Sequence, residues 1–109
     1  MEKDRRRVPR FQFIAPAELA DPTSGARVNS WVADLGLQGC SLTVGNGPCE
    51  GTAVELKIGA TPRESFETRA VVVYSTADRV GLSFPDVKPT ASVLLHKWLA
   101  AAKFPKGSA

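Results

Sequence analysis

DLGLQG, Asp34 to Gly39, is the stretch on which the reading of the fold turns. A strand pattern runs into it over residues 26–35. Asp34 lies at the end of that strand, Gly36 and Gly39 bend the chain, and an apolar strand pattern resumes at once over Cys40 to Val44. Period-two alternation before the turn sets Trp31, Ala33 and Leu35 on one face and Val28, Val32 and Asp34 on the other, with Trp31 expected in the core. Gly39 is expected to supply a positive-φ turn through which backbone amides approach a ligand, its plainer role being a β-turn.

Outward from this turn the chain keeps the same grammar. Upstream, Phe11, Phe13, Ala15, Ala17 and Leu19 alternate with Gln12, Pro16 and Glu18, and Pro16 makes this an edge or a bulged strand. Asp21-Pro22-Thr23-Ser24-Gly25 is turn chemistry. Downstream, a turn at residues 45–48 precedes a strand over 52–58, and residues 59–63 turn the chain again. A strand over 66–74 follows, in which Val71-Val72-Val73-Tyr74 suits a well-covered central position. A short strand over 79–84 comes last, after a turn at Thr76-Ala77-Asp78. Short strands at regular spacing imply a small barrel or a sandwich. Thr90 is a predicted N-cap for a helix ending near Lys103, with Leu94, Leu95, Trp98, Leu99 and Ala102 on one stripe that packs on the strands. The expected organisation is a basic arm at 1–10, one domain over 11–103 and a tail at 104–109.

Composition bounds what this domain does. At 109 residues, 43% apolar and 23% charged, the chain fits one globular unit. No apolar run approaches the roughly 18 residues of a membrane span, and no hydrophobic segment adjoins the N-terminal charges, so a cytoplasmic protein is expected. Cys40 and Cys49 are expected to stay reduced as small hydrophobes, and with one histidine they cannot supply a zinc set. Residues 1–10 carry Lys3, Arg5, Arg6, Arg7 and Arg10 against Glu2 and Asp4, so the arm holds a charge equal to the +3 of the whole chain. A cationic arm on a neutral body points to an anionic partner.

Catalysis is hard to assemble from these residues. The lone histidine, His96, falls on the wet side of the helix, and without it no nucleophile–base set can be built. Gly45-Asn46-Gly47 lacks the lysine of a phosphate-binding loop. A binding protein, not an enzyme, is expected, with no cofactor.

Arg6 and Arg10, spaced RxxxR, followed by D-x-G-x-x-G at Asp34, Gly36 and Gly39, resemble the two-part signature of the PilZ family, bacterial receptors for cyclic di-GMP. The family's second motif is usually [D/N]xSxxG, and Gly36 stands here where it has serine. Val80-Gly81-Leu82-Ser83-Phe84 resembles a strand near the family's end, so the likeness covers nearly the whole chain. The resemblance implies a mainly β fold: a six-stranded antiparallel β-barrel with one C-terminal α-helix. It also implies a ligand, cyclic di-GMP, clamped by Arg6 and Arg10 over a floor of Asp34, Gly36 and Gly39. Arg5 and Arg7 match no motif position and add charge beside the clamp. Arginine forks suit phosphate and the O6/N7 edge of guanine, and an ionised Asp34 can accept guanine's N1–H and N2 protons or hold an arginine. Ordering of the arm would change a surface that a protein partner reads. The alternative is a PilZ-like interaction module that no longer binds the dinucleotide. A third reading, a β-barrel nucleic-acid binder using the basic arm, is opposed by a lack of exposed aromatic and basic residues on the strands.

Overall fold

The computed structural model describes residues 10–45, 47–61 and 63–101. In chain order its elements are β1 (Arg10–Gln12), β2 (Pro16–Ala20), β3 (Arg27–Gly36), β4 (Gly39–Thr43), β5 (Ala53–Thr61), β6 (Glu64–Ser75), β7 (Arg79–Ser83) and α1 (Pro89–Ala101). All strand pairs are antiparallel, in the order β3-β2-β5-β6-β7-β4, and β4 pairs back onto β3. These strands close a six-stranded barrel carrying a single C-terminal helix. Periodicity left barrel and sandwich open, and the β3–β4 pairing decides for the barrel, in which each of these six strands pairs on both sides.

The short β1 pairs with β3 on the same side as β2. Gln12 lies opposite Asp34 and Pro16 opposite Trp31, so the first strand has one more residue between these pairs than β3 does. The strand expected over residues 11–19 is therefore interrupted by a bulge, and Pro16 opens its second half, where a missing N–H is tolerated. Within the interruption the Ala15 carbonyl still accepts the Val32 amide at 2.8 Å, while Phe13 leaves the sheet.

Alternation fills the barrel from every strand. Leu19, Val32, Leu35, Cys40, Leu42, Leu56, Ile58, Phe66, Val72, Val80 and Leu82 are all buried in one cluster. Cys40 serves as a small hydrophobe there, whereas Cys49 is exposed. The Asp21–Gly25 turn forms as its sequence implies: the Asp21 carboxylate accepts the Thr23 amide at 2.8 Å, which lowers its pKa, and Gly25 takes φ 80°. At the β5–β6 hairpin β5 carries on to Thr61, with one extra residue opposite β6 between Gly59 and Thr61.

The helix begins at Pro89, so Thr90 lies inside its first turn and is not the cap. Proline suits a first helical position, where its absent N–H would have no intrahelical partner. Leu95, Trp98 and Leu99 form the buried stripe, and His96 is exposed; Ala102 and Lys103 lie outside the described residues. Trp98 stacks on Phe13 with ring centroids 5.3 Å apart and meets Phe66 edge-on at 6.4 Å. Lys97 Nζ and Trp98 Nε1 both donate to the Glu64 carboxylate, at 2.5 and 3.3 Å. The Lys97 bond chiefly, with the Trp98 bond behind it, holds the Glu64 carboxyl below the usual carboxylate range.

Candidate ligand site on the outer barrel wall

A second bulge builds the site. Across β3 and β4, Val32 pairs with Leu42 but Asp34 pairs with Ser41, which leaves Ala33 as an extra residue on β3. Val32 points into the core at 2% exposure, and regular alternation would send residue 34 to the same side. The extra residue reverses the phase, so Leu35 turns inward and Asp34 turns to the outer wall. Ser41 reaches the same wall because it alternates with the inward Cys40 and Leu42. Its hydroxyl donates to Asp34 Oδ2 at 2.7 Å, and both residues are nearly covered, at 4% and 1% exposure.

The register lays out the rest of this wall in rows. One row runs Gln12, Asp34, Ser41, Gly81 and Tyr74 across β1, β3, β4, β7 and β6. Beside it, Arg10 lies opposite Gly36 and Gly39 lies opposite Ser83. On the other side run Pro16, Trp31, Thr43 and Arg79. The Tyr74 ring lies so close over Gly81 that a Cβ there would overlap it.

Several sequence expectations need correction here. Trp31 is 56% exposed and not in the core, because the extra residue at Ala33 breaks the alternation that grouped it with Leu35. A similar bulge at Val73 leaves Val73 and Tyr74 exposed while Val72 is buried, so the valine run is not covered on both faces. Positive φ among the described glycines occurs at Gly25 and Gly51; Gly39 is instead the first, paired residue of β4, and Gly36 is the last of β3. Both motif glycines are buried strand residues. Arg5, Arg6 and Arg7 lie outside the described residues, and Arg10 is placed by its backbone alone. Of the expected floor, Asp34, Gly36 and Gly39 come together at one end of the β3–β4 hairpin, next to the strand position of Arg10. Among the described residues no cluster of His, Cys, Asp and Glu could hold a metal ion, and no helix is long and apolar enough to cross a membrane.

The profile described as PilZ domain matches residues 4–101 of this chain. The chain belongs to the PilZ family. PilZ structures of similar shape include the PilZ domain of YcgR from Escherichia coli with c-di-GMP, at 16% identity and TM-score 0.73, covering 89% of this chain and 91% of that one. YcgR from E. coli in complex with c-di-GMP matches at 19% identity and TM-score 0.74, over 90% of this chain and 46% of its own. The Bacillus subtilis inhibitor of motility MotI/DgrA matches at 14% identity and TM-score 0.70, over 90% of this chain and 51% of its own. The chain thus spans about half the length of YcgR and MotI. Among curated proteins no sequence matches.

Reading the PilZ motifs alone misses Ser41, the buried partner of Asp34, as well as Trp31 and Arg79 in the adjoining row. Ser41 was legible in principle, since a polar residue between Cys40 and Leu42 must face away from the core. Trp31 was hidden by the bulge. Its exposure, with that of Tyr74, removes the objection that no strand carries an exposed aromatic side chain.

Proposed function

We propose that this chain is a receptor for cyclic di-GMP, acting without catalysis in the cytoplasm and passing the ligand's presence to a protein partner through its N-terminal arm. The observation that carries this reading is the bulge at Ala33, which brings an acidic acceptor out of the core onto the wall that holds Gly36, Gly39 and the Arg10 position. An ionised carboxylate is acceptor-only with about four lone-pair sites, so Asp34 can accept guanine's N1–H and N2 protons or hold an arginine as well as accept from Ser41. Arg6 and Arg10, on an arm at residues 1–10, supply forks for phosphate or the guanine O6/N7 edge, with Arg5 and Arg7 adding charge. YcgR, similar in fold, was solved with this dinucleotide.

Calorimetry tests the reading directly. Cyclic di-GMP should bind in preference to cyclic di-AMP, because adenine presents a donor at N6 where guanine presents an acceptor at O6. Arg10→Ala should weaken binding by one to two orders of magnitude, since a charge-assisted hydrogen bond contributes about 1.5–3 kcal/mol. Amides of the arm should gain protection from exchange on ligand addition. Gly36 in place of serine favours the second reading, an interaction module that has lost the ligand, and no binding at high micromolar dinucleotide would decide for it.

A further inference from the structure

Trp31 is the largest exposed aromatic side chain among the described residues, and it stands on the wall that carries Asp34. Its indole makes no ring contact among those residues. Two strands away, Arg79 occupies the same row, and its guanidinium forms no ion pair or hydrogen bond among them. Between the two lies exposed Thr43, a small residue. Neighbouring strands lie about 4.8 Å apart, so the Trp31 and Arg79 strands are separated by about 9.6 Å. A flat ring held between two planar groups needs two contact distances of about 3.5–4.0 Å, or about 7–8 Å. The strand separation exceeds that width, so it leaves room above Thr43 for a flat ring between the two side chains. Asp34 and Ser41 stand one row further along, about 7 Å away at two residues per step.

Resting on the receptor reading, we infer that Trp31 and Arg79 form a stacking subsite that takes a guanine base of the dinucleotide, continuous with the Asp34 row. Indole offers a broad π-face, and arginine stacks on a base while supplying a cation to the neighbouring phosphate. An unburied tryptophan flanked by a small residue and an uncommitted guanidinium supplies an aromatic face and a charge in one row. The subsite adds grip without changing which base is read, because stacking tolerates any base and the hydrogen-bonding edge faces Asp34.

Intrinsic fluorescence of the full chain tests this, since it contains two tryptophans, Trp31 and the buried Trp98. Cyclic di-GMP should quench the wild-type emission and leave that of Trp31→Phe, which reports Trp98 alone, nearly unchanged. Calorimetry should show Trp31→Ala and Arg79→Gln each raising Kd by about tenfold or more, the size expected for losing one base stack. Wild-type binding with unchanged emission, and with both variants within twofold of its Kd, would overturn the subsite and leave the receptor reading standing. No wild-type binding at high micromolar ligand would overturn both. Quenching by a short oligothymidylate but not by the dinucleotide would also overturn it, in favour of single-strand binding.

Discussion

At the scale of single residues, Asp34 and Ser41 share one hydrogen bond but answer to different demands. Asp34→Ala strips the partner from a hydroxyl that is 1% exposed, and an unsatisfied buried donor costs about 1–3 kcal/mol. Urea unfolding should register that loss. Asp34→Asn keeps an oxygen for Ser41 and should lose less stability than Asp34→Ala, yet it should bind cyclic di-GMP more weakly because a neutral amide is a poorer acceptor for guanine or arginine. Gly36→Ser returns the family's hydroxyl. Gly36 is a paired strand residue outside the positive-φ region, so serine meets no backbone penalty there, and Kd should fall by up to about tenfold by calorimetry. The motif residues Asp34, Gly36 and Gly39 were legible because each is named by a fixed spacing. Trp31 was not, because spacing alone cannot reveal an inserted residue two positions on.

Elements show the same thing more broadly. Strand identities followed from alternation, but phase changes at Ala33 and Val73 arise from pairing with β4 and β7, which one strand's sequence does not contain. These bulges make a contrast available. Removing Ala33 leaves Val32 followed directly by Asp34, which makes the ladder with β4 regular with both side chains on their present faces, and the loop at residues 13–15 on the other side of β3 takes up the lost residue. Removing Ser41, paired on both sides in a strand with no spare residue, throws its neighbours onto the wrong faces. Thermal melts by circular dichroism should show a cooperative transition for the Ala33 deletion and none for the Ser41 deletion. The helix carries a pH-dependent tie. Because Lys97 and Trp98 depress the Glu64 pKa in the folded chain, the bond's contribution is full above the ordinary carboxylate range and fades as pH falls through the lowered value. The difference in melting temperature between wild type and Glu64→Gln should therefore be present at neutral pH and vanish in acid.

For the molecule as a whole, the local pattern identified strands and turns, while closure of the barrel depended on β2 meeting β5 and β4 meeting β7, long-range pairings that periodicity does not encode. Charge is also a whole-molecule property. Arg7→Ala should weaken binding at low salt and match the wild type at high salt, because exposed charges are screened beyond about 8 Å at physiological ionic strength, whereas Arg10→Ala should remain damaging in both. Titrations at two salt concentrations separate these outcomes. The stack of Phe13 on Trp98 has a mechanical consequence. Arg10 stands opposite Gly36 on the outer wall, and three residues later the same chain is clipped to the helix. Three residues span at most about 10–11 Å, which leaves little slack. The segment is a short tether with one end on the outer wall and the other on the helix, so the stack at Phe13 limits how far the Arg10 backbone can lift away from Gly36.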